Sequence, residues 1–232
     1  MAENDAVEAT RREQKAYDRH SRWYDLTQWP MEAFGLGRLR QRLWQQVEGQ
    51  RILEVGVGTG RNLQYYPTES RVVAIDLSPG MLRRAVKRAE RLGRRVDFAL
   101  ADAQRLPFRE GSFDTVTATC VFCSVPDPVQ GLMELRRVSR REGSTFLLEH
   151  VRAKNPFLGK VMDWMNPVAV RMSGANINRR TVENVKLAGL AVEREDSFMM
   201  SIVKMLRARS PNDIALRVGS VPSGARSGGQ PP

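Results

Sequence analysis

Cysteine and histidine are scarce in this chain of 232 residues, with two of each. Two cysteines cannot build a disulfide framework, and Cys120 and Cys123 offer at most half of a four-ligand zinc site. They lie in an apolar run from Ala118 to Val125, which predicts thiols in a core or lining a site rather than metal or redox chemistry. Uninterrupted apolar runs of eighteen or more residues are absent, so no helical membrane span is expected. Met1 to Thr10 is acidic and has no hydrophobic core, unlike a secretory leader, and a cytoplasmic location is the default expectation. Internal repeats are missing too. Acidic residues are in the minority, 26 against 37 Lys and Arg, giving a formal net charge of +11. Such an excess suits a polyanion or an anionic surface. Part of it is concentrated at Arg83, Arg84, Lys87, Arg88, Arg91, Arg94 and Arg95, and part beyond residue 150 at Arg152, Lys154, Lys160, Arg171, Arg179 and Arg180. Nucleic acid and lipid headgroups both meet this description, and a solvated helix face accounts for residues 83–95 equally well.

What is present is an apolar strand, Ile52-Leu53-Glu54-Val55, running into Gly56-Val57-Gly58-Thr59-Gly60, with a second strand, Val72-Val73-Ala74-Ile75, ending on Asp76. Glycine lets a backbone close such a turn and approach a ligand, and a carboxylate at the next strand tip can accept from a ribose diol. A dinucleotide site favours G-x-G-x-x-G, which aims a helix N-terminus at a pyrophosphate. The spacing here is G-x-G-x-G, prefixed by Glu54.

Apolar and turn residues then alternate regularly. Helices are predicted over 5–48, strands at 51–56, 71–76, 96–101, 113–119 and 145–148, and helices after Gly60 (ending near Pro67), over 81–92 and over 129–138. Residues 151–180 form an insertion rich in Met, Trp, Pro and Arg. A helix over 181–188 precedes two alternating stretches, 191–198 and 201–208, that read as an antiparallel hairpin. The expected fold is α/β: a Rossmann-like, doubly wound, mostly parallel seven-stranded sheet with an antiparallel C-terminal hairpin and an N-terminal helical cap. The expected division is a cap or membrane-facing lid over 1–50, a ligand-binding domain over 51–209 and a disordered tail over 210–232.

From Ile52 to Val151 the chain resembles the class I S-adenosylmethionine (SAM) methyltransferases. Glu54 to Gly60 resembles their first motif, Ala74 to Leu82 the strand after it, Ala101 to Phe108 the adenine segment, and Phe113-Asp114-Thr115-Val116 the start of strand four. Their R-V-L-K-P-G-G turn is replaced by Arg137-Val138-Ser139-Arg140-Arg141-Glu142-Gly143. The resemblance implies SAM as cofactor. Glu54 would belong to the cofactor-binding set, Gly56, Gly58 and Gly60 would serve the methionine part of SAM, Asp76 its ribose, and Leu77 and Met81 its adenine. Asp102 and Ala103 would pair with the adenine edge, and Thr119 and Cys120 would lie beneath the sulfonium. Leu77 and Met81 also read as core, and Asp102 as a turn cap.

Tyr17-Asp18-Arg19-His20-Ser21-Arg22-Trp23-Tyr24-Asp25 resembles the Y-D-x-x-S/A-x-x-Y-D segment of bacterial phosphatidylethanolamine N-methyltransferases and related membrane-associated enzymes, and of quinone-ring C-methyltransferases. Cys120 to Val125, Glu149-His150 and Gly174 to Arg179 are similar to the first group, and the G-L-R-N segment of the quinone enzymes is absent. The resemblance implies methylation of a phospholipid amine by a peripheral protein at the inner face of an anionic membrane. The alternatives are a small thiol, phenol or quinone acceptor, or a non-catalytic or nucleic-acid-associated SAM-binding protein. Nucleic acid is not the expected partner, because Thr119-Cys120-Val121-Phe122 stands where base-amino methyltransferases carry N/D-P-P-Y/F. A monomer is the default.

Trp23, Tyr24, Trp29, Phe34 and Trp44 share the N-terminal region with Arg19, Arg22, Arg38, Arg40 and Arg42, and Met162, Trp164, Met165 and Met172 accompany Lys160 and Arg171. Such helices suit a headgroup–acyl boundary, or else they bury their aromatics against the sheet. An ammonium acceptor must lose a proton before it can attack, which calls for a base. The candidates are His150 at a strand's carboxyl end and, to orient the amine, Tyr17 and Tyr24. A structural hydrogen bond is the competing role for His150. Arg171, Arg179 or Arg180 would pair with a lipid phosphate or remain solvated.

Overall fold

The computed structural model describes residues 2–210; the expected tail therefore lies outside the described residues from position 211. Three helices come first: α1 (Ala2–His20), α2 (Tyr24–Met31) and α3 (Gly37–Trp44), the last two joined by a π-helical turn over Glu32–Leu36. The strands are β1 (Arg51–Val55), β2 (Arg71–Asp76), β3 (Asp97–Leu100), β4 (Phe113–Thr119), β5 (Ser139–His150), β6 (Ala191–Phe198) and β7 (Val203–Arg209). Between them run α4 (Pro79–Arg91), α5 (Pro128–Val138), α6 (Pro156–Ser173) and α7 (Thr181–Leu187).

One sheet contains all seven strands in the order β3-β2-β1-β4-β5-β7-β6. The pairings from β3 to β5 are parallel, and β7 runs antiparallel to both β5 and β6. The expected fold class is what forms. β1 shows why: Ile52 and Leu53 are both fully buried but join different apolar clusters, because successive side chains of a strand point to opposite faces. Leu53, Val116, Leu132, Leu135 and Val185 fill the layer beneath α5 and α7. Ile52, Leu43, Trp44, Phe146 and Met205 fill the other, beneath α3.

α4 begins where its sequence dictates. Ser78 accepts the Met81 N–H at 3.2 Å, Pro79 occupies the first turn, and Met81, Ala85 and Ala89 form the buried stripe. The expected helix after Gly60 does not form; only a 3-10 turn, Leu63–Tyr65, is present. Six residues separate Gly60 from Pro67, and Asn62 there turns inward to bond Glu54 and Thr119. β5 is longer than expected because Ser139 pairs with Phe113 across an irregularity in the ladder.

The strand order reverses between β1 and β4, which opens a crevice at their carboxyl ends. α1 and α2 lie over this crevice. Asp18 of α1 takes the place of a second cap on α4, accepting the Gly80 N–H at 2.6 Å and the Ser78 hydroxyl at 3.2 Å. Asp25 of α2 accepts the Thr59 hydroxyl at 2.7 Å, Arg61 Nε at 3.1 Å and Arg88 Nη2 at 2.8 Å. Burial opposes the charge of Asp25, but Thr59, Arg88 and Arg61 outweigh it and hold the carboxyl below its ordinary range.

Candidate active site

The crevice measures about 660 Å³ with its open mouth included. Its floor is the ends of β1, β2 and β4 with the loop after β3, and its roof is Glu13 and Tyr17 of α1 and Tyr24 of α2. Gly56 and Gly58 both have positive φ, +70° and +56°. A Cβ on Gly56 would stand 2.3 Å from Val121, whereas a Cβ on Gly58 would meet nothing within 4 Å. The Gly58 backbone thus borders open pocket that any side chain there would enter.

Asp76 organises the floor. Its Oδ2 accepts the Gly58 N–H at 2.8 Å and its Oδ1 the Ser78 N–H at 2.8 Å. Burial raises its pKa, and the N–H bonds from Ser78, Gly58 and Leu77 partly offset that. Asp102 Oδ1 accepts the Gln104 N–H at 2.8 Å, the turn-capping role open from sequence, and it lines the pocket as well. Leu77, Met81, Ala103, Thr119 and Cys120 also line it. Cys120 adopts a left-handed φ of +56°, and burial pushes its thiol up to about 12. No group of three metal-ligating side chains occurs among the described residues.

Several expected site residues lie elsewhere. Glu54 is fully buried behind the glycine turn, bonded to Asn62 and the Tyr66 hydroxyl, with its pKa raised to about 7 by burial. Gly60 packs on Leu63 and Ala85, where a Cβ would stand 2.5 Å and 3.1 Å away. Both shape the turn from behind instead of lining the pocket. His150 is likewise outside the lining. Its ring bonds the Ile177 backbone, its Nδ1 is buried without a partner, and burial lowers its pKa. Arg179 donates to Val125 O at 2.9 Å from beside the pocket, while Arg171 and Arg180 are exposed at the end of α6 and the start of α7.

Sequence reading missed Glu13, Val55, Ile75, Ala101, Val121, Ser124 and Val125 in the lining. Glu13 had a signal: it precedes Tyr17 by four residues, so on a helix the two share a face. Burial raises Glu13 to about 8, helped by Asp102 and Asp76 and opposed by Ser124 and Arg179. Burial also raises the hydroxyls of Tyr17 and Tyr24, whose ring centroids are 6.3 Å apart. The aromatic segments divide. Trp44 is 2% exposed and stacks on Tyr66, and Met162 is buried, whereas Trp29 is 66%, Phe34 84% and Trp164 81% exposed. No helix among the described residues is long and apolar enough to cross a membrane.

Residues 53–147 match the family model described as a methyltransferase domain. Phosphatidylethanolamine N-methyltransferase of Cereibacter sphaeroides is 31% identical over 178 residues, 69% of this chain and 88% of the relative. Thiol S-methyltransferase of Homo sapiens is 32% identical over 62% of each chain. A demethylmenaquinone methyltransferase of Renibacterium salmoninarum is 38% identical over 44% of this chain and 42% of its own. Among solved structures, a geranyl diphosphate methyltransferase in complex with SAM superposes with a TM-score of 0.64 at 14% identity, over 75% of this chain and 85% of the other. The pocket fits that cofactor, because Gly58 leaves the floor open and Asp76 stands at the adjoining strand tip. Fold, glycine turn and relatives agree: the chain belongs to the class I SAM-dependent methyltransferases, with SAM as its cofactor.

Proposed function

We propose that this methyltransferase N-methylates the amino group of phosphatidylethanolamine and its methylated products at an anionic membrane surface. One observation carries the reading: the helices that roof the pocket with Tyr17 and Tyr24 expose Trp23, Leu26, Trp29 and Phe34 on their outward side. A lipid could therefore meet the outer face of the cap while its headgroup meets the inner one. Phe157, Trp164 and Met165 on α6 are further exposed apolar side chains, and Arg19, Arg22 and Arg38 are exposed cations. The relative from Cereibacter sphaeroides supports the same acceptor.

Bound SAM supplies a methyl group on a sulfonium sulfur, which leaves as a neutral thioether when an acceptor lone pair displaces it in line. The chain's part is alignment, and well-oriented systems gain roughly 7–11 kcal/mol in this way. On this reading Gly56 and Gly58 admit the methionine part, Asp76 holds the ribose, and Asp102 with Ala103 meets the adenine. Leu77 and Met81 flank the adenine, and Thr119 and Cys120 face the reacting end. Tyr17 and Tyr24 present ring faces that favour a cationic amine, and Arg179, bonded to Val125 beside the pocket, is the best placed cation for a lipid phosphate.

Radiolabelled SAM offered to the protein with anionic vesicles, with and without phosphatidylethanolamine, tests the reading. Label in mono-, di- or trimethylated lipid is the expected result. Absence of lipid label with SAM binding intact would overturn it. A second reading, a small hydrophobic thiol, is favoured by the likeness to thiol S-methyltransferase; it requires transfer to a soluble thiol without vesicles.

A further inference from the structure

We propose that Glu13 is the group that takes the proton from the acceptor's ammonium, held for that purpose on the roof of the pocket beside the Tyr17–Tyr24 pair. The proposal rests on the amine reading above and adds the base that reading needs. Three features of the site carry it. Glu13 projects into the pocket from α1, one turn before Tyr17. The two tyrosine rings stand 6.3 Å apart at 57°, presenting electron-rich surfaces to a cation next to that carboxyl. His150, the base expected from sequence, faces the Ile177 backbone and not the pocket.

The surroundings give this carboxyl unusual basicity. Asp76 at the end of β2 and Asp102 after β3 face it, Ser124 after β4 bonds it, and Arg179 after α6 is the cation acting on it. Cys123 and Tyr24 lie with it around Tyr17. An ordinary glutamate, near 4.3, is about six units too acidic to deprotonate an alkylamine near 10.4. Glu13, pushed up to about 8 by burial and the two carboxylates, is much closer to that match.

The step balances simply. An N–H bond of the ammonium breaks, its electron pair stays on nitrogen, and the proton passes to a Glu13 carboxylate oxygen. A cation and an anion become a neutral amine and a neutral acid, a change that a dry pocket favours. The freed lone pair takes the methyl group. Glu13 then returns its proton to water, ready for the ammonium of the methylated product.

The test measures initial rates from pH 6 to 9.5 on vesicles of phosphatidylethanolamine and phosphatidylglycerol, for the wild type, Glu13→Gln and Glu13→Asp. SAM affinity is measured by calorimetry alongside. Wild-type kcat/KM should rise about tenfold per pH unit and level off near 8. Glu13→Gln should fall roughly a hundredfold at pH 7 and lose that inflection, with SAM affinity within about threefold of wild type. Glu13→Asp should keep the inflection at a lower plateau. An unchanged profile in Glu13→Gln, or a loss of SAM affinity that matches the loss of rate, overturns the proposal and leaves the amine reading standing. Wild-type protein that binds SAM but labels no lipid overturns both.

Discussion

The floor and the roof of the pocket are built by different physics. The floor is backbone: parallel strand ends, a glycine turn with positive φ, and an aspartate that bonds two main-chain N–H groups. It stands on a double-sided core in which Ile52, Leu53, Phe146 and Leu147 are at most 1% exposed. The roof is side chain: Glu13, Tyr17 and Tyr24 on helices attached to that core largely through Asp18, Asp25, Gln14 and Gln104. A ligand shared by a whole family can be read by a backbone. A ligand that differs between members must be read by side chains that change without disturbing the sheet.

The strongest way to break this comparison is Gly58→Val. The new side chain enters the pocket from a left-handed position, and SAM affinity should fall roughly a hundredfold or more, about 2.7 kcal/mol. Calorimetry reads that loss, while vesicle binding by flotation should be unchanged. If both fall together, floor and roof are one unit.

Glu149 sharpens the account of the floor. Its Oε1 accepts the N–H groups of Val121 at 3.0 Å and Phe122 at 3.2 Å, while burial raises it to about 7. A carboxyl whose folded pKa is raised favours folding below its unfolded value near 4.5, and that contribution is lost as pH climbs through 7. Melting temperature should therefore decline from pH 5 to pH 8. Glu149→Gln should flatten the decline, by on the order of 2–3 kcal/mol. An equally steep decline in the variant would assign it to another group, with Glu54 the next to test.

Asp18→Ala addresses the roof. It removes the carboxylate from the Gly80 N–H, costing about 1 kcal/mol. We expect lipid methylation to drop about tenfold at saturating SAM, with faster proteolysis within α1 and SAM affinity nearly unchanged. The smallest effect belongs to Trp29→Ser on the exposed face, which should weaken vesicle binding about fivefold, close to 1 kcal/mol, at constant rate on a detergent-dispersed lipid. No change in partitioning would argue that the outer face of the cap does not meet lipid.

The same division governs what could be read from sequence. Strand β4 was expected over 113–119 and forms over Phe113–Thr119, because its apolar run is bounded by turn residues at both ends. The β6–β7 hairpin, α4 with its Ser78 cap and the placement of Asp76 were legible for similar local reasons. The missing helix after Gly60 was not, since it fails through a tertiary bond from Asn62 to a strand residue. Trp44 and Trp29 both belong to the Trp- and Arg-bearing N-terminal region, yet Trp44 packs on Tyr66 and Trp29 stays exposed. The two aspartates in the Tyr17–Asp25 segment are fasteners to α4 and the glycine turn. No pattern within the segment reports which surface a carboxylate will reach.

Fastening by Asp18 has a kinetic consequence. The contact is a helix cap, a bond of the strength that fraying helix ends make and lose continually. If it and its neighbours are worth about 2–3 kcal/mol, the expected open population is about one in a hundred. Exchange of spent product for fresh cofactor is then expected to begin with motion of the first helix, while the sheet stays folded beneath it.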